Sequence, residues 1–588
     1  AARGRAARSG RGGAAGGAGE FPAHGILRRF EGNFGRAVLL EAAPAGPDRV
    51  ALTNQRQEVI LIDLATGRQR VLERSPYAQI GGLAWSPDGR WLAYGFSDSL
   101  RTSSIHLCEV ATGTVTAITR SDFNDLLPSF DPEGKYLSFI SFRIFDPVYD
   151  SHYFDLGFPK GSRPYLIPLK RETVSPFLAA NRPPRAPGAP PAEGANDKGK
   201  DAPKAPRVDI DLDGIAGRVL AYPVPEGIYT GIQMAKGRAF LSSIPAEGSL
   251  DSSWHLTEPP AKGLLQTWSF EEDKLDTVSD RLTDFTLSRD AKVLALRSGN
   301  RVRVLPVTYK ANGKPAKEEP GRESGWLDLE RLRVSVRPVD EWKQMFREAW
   351  RLQRDQFWTE NMSGIDWSVV HDRYLPLVER CGTRAEFSDL LWEMQGELGT
   401  SHCYELGGDY RPSPGWHHGF LGADIDWDAR RKAWRITRIP RGDSWEAKYA
   451  SPLAAPGLLI REGDEILAVD GLPVDAAVSP DERLTHQAGR EVRLTVRTQG
   501  TPAPAARRGR AARRGKGRNA EGAAGGPKPG EIRTVVVKTL AAEAPLRYRD
   551  WVEQNRARVH ELSQGRVGYV HVPNMGPTGY AEFHRYYL

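Results

Sequence analysis

The pattern of apolar and polar positions changes period twice between Phe30 and Leu540. From about Phe30 to Val336 short runs of period two are separated by turns, as β-strands read. At Pro338 the period becomes 3.6. Trp342, Met345, Phe346, Ala349, Trp350, Gln353 and Phe357 fall on one stripe, apolar save for Gln353, with Asp340 as the expected N-cap. Ile365-Asp366-Trp367 opens a second helix that should bury Val370, Tyr374 and Val378. Thr383 and Glu386 form a capping box for a third, whose apolar face is Phe387, Leu390, Leu391, Met394 and Leu398 and which Gly399 ends. From 418 to 540 the period returns to two.

The first β-rich stretch repeats. GPDRVALTN around Asp48, SPDGRWLAYG around Asp88 and DPEGKYLSFI around Glu133 each put a turn before an inner strand, at a spacing of 40 to 45 residues. SRDAKVLALRS around Asp290 is a weaker copy. Units of that length with several strands each are the mark of β-propeller blades, which must stack because one blade cannot bury both of its faces. Five or six blades are expected, as part of a seven-bladed ring, with Asp88 and Asp131 as turn formers and not acids of a site.

The second β-rich stretch is a small module. Strands are expected from His418 to Asp424 and from Trp434 to Ile439, and a short helix over Ser451–Leu459. Gly463-Asp464 and Asp470-Gly471 are turn pairs flanking another strand, and Glu491–Arg497 should pair with Glu531–Lys538. This pattern resembles a PDZ domain, in which Phe420, Leu421, Gly422 and Ala423 would form the loop whose backbone N–H groups receive a peptide C-terminus. His417-His418 lacks a third ligand nearby, so no metal is expected. A helix over Tyr548–Val559, a buried strand over Gly565–Val572 and a Gly-containing turn at Gly576 follow. A strand running into such a turn and then a helix can aim backbone amides at a developing oxyanion, although an ordinary turn has the same signature.

Composition narrows the class. A length of 588 residues requires several domains, and 60 Gly with 43 Pro suits β-rich and loop-rich structure. The net charge of +7 comes largely from an Ala/Gly/Arg tail and from Arg507 to Arg518, a low-complexity run, so a nucleic-acid partner is not favoured. Three cysteines make no disulfide framework and point to a reducing, cytoplasmic setting. No run approaches 18 apolar residues, so no membrane partner is expected.

Candidate chemistry concentrates at Glu397-Leu-Gly-Thr-Ser-His-Cys-Tyr404, where the third helix stops. A histidine just past a helix end can be held firmly while its ring stays free, which makes His402 a candidate general base. Against this stands a buried histidine satisfied by a backbone carbonyl, which these few residues alone favour.

The order of parts, with FWTENMSGIDWSVVHDRY, ELGTSHCY and RVGYVHVPNMG, resembles the tricorn core protease family. The same stretches echo the tail-specific processing proteases, which use a Ser-Lys dyad where this chain has a histidine. The resemblance implies a hexameric cytosolic serine peptidase, without cofactor, that shortens oligopeptides released by larger proteases. His402 would be the general base, Ser401 would orient it, and Gly576 would give an oxyanion-hole amide. The nucleophile and a partner glutamate would lie beyond Leu588, so this chain is expected to be a piece of a longer protein, inactive by itself. The alternative is a non-catalytic peptide-binding scaffold of propeller plus PDZ domain.

The fold class expected is therefore multidomain and mainly β. It comprises a disordered tail (1–25), a β-propeller (26–336, insert 181–207), a helical catalytic subdomain (337–408), a PDZ domain (412–542, insert 501–530) and the start of a second, α/β catalytic subdomain (543–588).

Overall fold

The computed structural model describes residues 30–46, 48–151, 154–178, 206–250, 259–310, 317–411, 413–443, 446–499 and 527–587. The tail, nearly all of both inserts and the basic run 507–518 lie outside the described residues. The chain divides into two compact units, one comprising residues up to 409 apart from 249–252, the other comprising those four residues and 410 onward.

In the first unit the β-rich part forms blades of antiparallel strands. The first has four strands in sequential order, from Ala37–Ala42 to Gln69–Arg74. The second runs from Leu83–Trp85 to Thr114–Ala117, and the third from Asn124–Phe130 to Leu220–Ala221. A fourth spans Ile228–Ala235 to Lys274–Leu282, and a three-stranded fifth spans Asp284–Leu287 to Arg301–Pro306. Burial follows position within a blade. The inner strands Trp91–Ser97 and Ser103–Glu109 are covered on both faces; the first reads as a nearly continuous apolar run, the second also buries Ser103, Ser104 and His106, and the outer strand Thr114–Ala117 is partly exposed. Neighbouring blades share their cores: Ile105, Leu107 and Ile118 of the second pack with Leu137, Phe139 and Ile167 of the third.

The repeated turns explain the repeat. Asp88 accepts from the Ser86 hydroxyl (2.7 Å) and the Arg90 N–H (3.1 Å), while Gly89 adopts φ 69°. Gly134 does the same after Asp131, with φ 69°. In the weaker copy Ser288 still donates to Asp290 (2.6 Å), but Ala291 must take the left-handed position, at φ 51°. A side chain there strains the turn, and the sequence signature fades with it.

The helical part of this unit has helices α1 (Pro338–Gln356), α2 (Trp367–Tyr374) and α3 (Arg384–Gly396). Asp340 is not the cap of α1. Pro338 opens that helix, because its fixed φ suits the first position, and Asp340 falls inside the first turn. Asp366 caps α2 by accepting from Ser368 N and Val369 N. Trp350 Nε1 donates to the Trp367 carbonyl (2.7 Å) and Trp367 Nε1 to the Trp350 carbonyl (2.9 Å), which ties α1 to α2. Trp342 stacks on Phe387 of α3 with ring centroids 5.7 Å apart.

The second unit contains a sheet in the order Asp424–Asp428, Ala433–Arg438, Glu465–Val469, Glu491–Arg497, Ile532–Lys538. Val492, Leu494 and Val496 alternate into its core with Leu421, Ile436, Leu453 and Val537. Three expectations need correction. The strand expected from His418 starts only at Asp424, with Phe420 forming one isolated bridge to Leu540. The helix expected over 451–459 is a single 3-10 turn, Pro452–Ala454, because Pro456 pushes Ala455 into an extended conformation. The strand expected over 565–572 is irregular, with Val567 and Val572 half exposed. A strand exists only by pairing, and among the described residues no strand lies beside it. Helix α4 is a short segment, Pro480–Arg483; α5 spans Ala544–Leu562, starting earlier than the pattern implied because Pro545 suits its first turn; α6 spans Pro577–Tyr587. No described helix is long and apolar enough to cross a membrane.

Candidate functional site

The third helix delivers the Ser401-His402 pair. Thr383 Oγ1 accepts from Glu386 N (3.2 Å), while the Glu386 carboxylate reaches back to Gly382 N (2.7 Å), one residue before the usual partner of a capping box. Phe387, Leu391, Met394 and Leu398 anchor the helix and its exit in the core. Gly399 then turns the chain with φ 58°.

Two carboxylates pin the loop at both ends. Glu397 accepts from the Tyr374 hydroxyl (2.8 Å) and the Arg373 guanidinium (2.5 Å), and these donors hold its carboxyl below the usual carboxylate range. Burial, and then the hydrogen bond to Glu397, push the Tyr374 phenol up. At the far end Glu405 accepts from Arg384 Nη2 and from the Ser388 hydroxyl, each at 2.6 Å. Arg384 and Glu405 are about nine-tenths buried, at 10% and 13% exposure. Cys403 packs against the core between them.

Ser401 and His402 stand exposed on this tethered loop, so the buried-histidine alternative does not hold. His402 adopts φ 67°, unusual for a non-glycine residue. Its Nδ1 lies 3.4 Å from the Tyr404 hydroxyl, a long contact, with the two rings edge to face. Among the described residues, the Ser401 hydroxyl makes no hydrogen bond to the His402 ring. Tyr404 in turn sets its ring against Trp392. Sequence reasoning missed Tyr404, Glu405, Glu397 and Arg384. The available signal was two acidic residues bracketing the loop, but their cationic and hydroxyl partners are 17 to 24 positions away.

The other expected residues lie in the second unit. Gly576 sits in the turn before α6, and its N–H donates to Asn574 Oδ1 (2.9 Å), which also accepts from Gly579 N (3.1 Å). The amide is thus engaged by an Asx-type turn that opens the helix. In the PDZ-like loop Leu421, Gly422 and Ala423 are buried and Phe420 is half-buried. Gly422 has φ 68°, and its N–H donates to Glu543 Oε1 (2.8 Å). His418 packs edge-on against Phe420, with centroids 4.8 Å apart.

Comparison with known proteins agrees with this architecture. The tricorn protease second beta propeller domain matches residues 20–308, the tricorn protease C1 domain residues 338–396, and the tricorn protease PDZ domain residues 419–507. Tricorn protease homolog 1 of Streptomyces coelicolor is 36% identical over 563 residues, covering 95% of this chain and 49% of that protein. The tricorn protease homolog of Saccharolobus solfataricus is 32% identical over 558 residues, covering 95% of this chain and 46% of that protein. The crystal structure of the tricorn protease superposes with a TM-score of 0.76 at 27% identity, over 95% of this chain and 49% of that one. The chain spans about half the length of these relatives. With a propeller, a C1 domain and a PDZ domain matched in that order, the chain belongs to the tricorn protease family.

Proposed function

We propose that this chain carries the base half of a serine-type peptidase site that degrades oligopeptides released by larger proteases. In this reading His402 is the general base for a serine nucleophile, Ser401 orients its imidazole and Gly576 contributes an oxyanion-hole amide. Residues 26–336 form the propeller, 337–408 the helical catalytic subdomain, 412–542 the PDZ domain and 543–588 the start of a second, α/β catalytic subdomain. The enzyme is cytosolic and homo-oligomeric, a hexamer by family resemblance. The observation that carries the reading is the His402 ring, exposed on a loop that two ion pairs hold at its ends. A base needs both features: access to a substrate and a fixed position.

Two local rearrangements belong to the reading. Ser401 must rotate onto the imidazole, and Asn574 must release the Gly576 N–H, as apo sites often tighten only with substrate. The test is cleavage of short fluorogenic peptides by the natural full-length protein. His402→Ala should lower kcat by about four orders of magnitude, as loss of a triad base does. Activity within tenfold of the parent would refute the assignment.

The engaged Gly576 amide and the absence of a Ser401–His402 hydrogen bond favour a second reading, a non-catalytic peptide-binding scaffold of propeller and PDZ domain. Labelling by a fluorophosphonate, lost in His402→Ala, separates the two, because a scaffold would not be labelled at all.

A further inference from the structure

The loop expected to receive a peptide C-terminus already holds a carboxylate. Glu543 is the residue before α5, yet its side chain does not cap that helix. It points instead to the loop, where Oε1 accepts from Gly422 N at 2.8 Å. Its second oxygen accepts from Arg547 Nε at 2.7 Å. Arg547 also donates to Asp424 Oδ1 (2.6 Å) and contacts the Ala423 carbonyl (3.4 Å), so the guanidinium sits at the C-terminal end of the loop. The Glu543 side chain is only 15% exposed.

The backbone of α5 is seated independently of this carboxylate. Leu546 is fully buried, and a Cβ on Gly422 would meet its Cδ2 at 3.0 Å and Pro452 Cδ at 2.8 Å. Asp550 further accepts from Arg441 N (3.0 Å). A rotamer change at Glu543 therefore empties the loop without undocking the helix. What it leaves is a backbone N–H beside a guanidinium, donors suited to one carboxylate.

We propose that the Leu421–Ala423 loop and Arg547 form a carboxylate site that Glu543 fills in cis and that the C-terminal carboxylate of a peptide fills in trans. This rests on reading Phe420–Ala423 as a peptide-receiving loop and is independent of the peptidase chemistry. A site open in only a fraction of molecules binds with an affinity reduced by that fraction, so removing the resident carboxylate should tighten peptide binding about tenfold or more.

The test uses fluorescence polarisation with fluorescein-labelled hexapeptides ending in Val, Leu or Phe, each as free acid and as C-terminal amide. A His402→Ala background keeps the peptides intact. Glu543→Ala should bind the free acids at least tenfold more tightly than its parent and leave the amides unchanged. Equal affinities in parent and variant, an equal gain for amides, or no binding by a Glu543→Ala protein of unchanged Tm would each overturn the proposal. If Glu543→Ala melts early, Glu543→Gln decides: it keeps the side-chain length and an acceptor oxygen but loses the charge. A smaller gain for free acids supports the site, and none overturns it.

Discussion

Glu405→Ala tests whether the ion pair behind His402 holds its loop. The substitution removes an acceptor from Arg384 and from the Ser388 hydroxyl, each at 2.6 Å. Breaking a fully buried pair by deleting one partner costs about 3–5 kcal/mol. Here Arg384 is 10% exposed and keeps Asp409 at 3.2 Å, but Asp409 is itself 83% exposed and replaces little of the lost interaction. A local cost of about 2 kcal/mol follows, since partial exposure discounts the buried figure. At 1.4 kcal/mol per tenfold, that corresponds to about thirtyfold faster hydrogen exchange of the loop amides if they exchange by local opening. Exchange measured by mass spectrometry on peptides covering 397–410 reads this directly, while peptides from the propeller should not change. Glu405→Gln, which can still accept from Ser388, should fall between. Exchange in the loop within twofold of the parent would show that the core contacts of Leu398 and Cys403 suffice and that the ion pair is incidental.

Two further perturbations test the fold around the site. Phe387→Ala removes a fully buried ring stacked on Trp342 and should lower the stability of the helical segment by about 3–5 kcal/mol, read as an earlier thermal transition with altered tryptophan emission; a cost under about 1 kcal/mol would mean that the stack is dispensable. Burial pushes the Asp131 carboxyl up to about 6, against the backbone N–H groups of Lys135 and Glu133 that favour its charged form. A folded value above the unfolded one means that the folded state holds the proton more tightly. The resulting stability is present below about pH 4 and is lost as the pH rises to about 6. Asp131→Asn should flatten that slope and leave the propeller about 1–3 kcal/mol more stable above pH 6 than the parent, relative to their difference at pH 4. Thermal melts between pH 4 and 8 check this, and parallel pH profiles would refute it.

The sequence carried the architecture because most of it is local. The Ser/Asp/Gly turns of the blades, the 3.6-residue stripe from Trp342 to Phe357 and the Thr383 cap each depend on residues within a few positions of one another. Local pattern also placed His402 at a helix exit. It misjudged elements whose state depends on a neighbour. Gly565–Val572 has the composition of a strand but no adjacent strand among the described residues, and the run after Ser451 has helical promise that Pro456 cancels.

Only the tertiary structure decided what the candidate groups touch. That His402 is exposed, that Glu397 and Glu405 tether its loop to Tyr374, Arg373, Arg384 and Ser388, and that Gly576 donates to Asn574 all follow from side-chain placement. The meeting of Gly422 and Glu543 spans 121 positions. Periodicity records which face of an element is buried. It carries no information on which polar group lies opposite, because that depends on how separate elements pack, and this is why the position of His402 at a helix exit was legible in the sequence and the bonds that hold its loop were not.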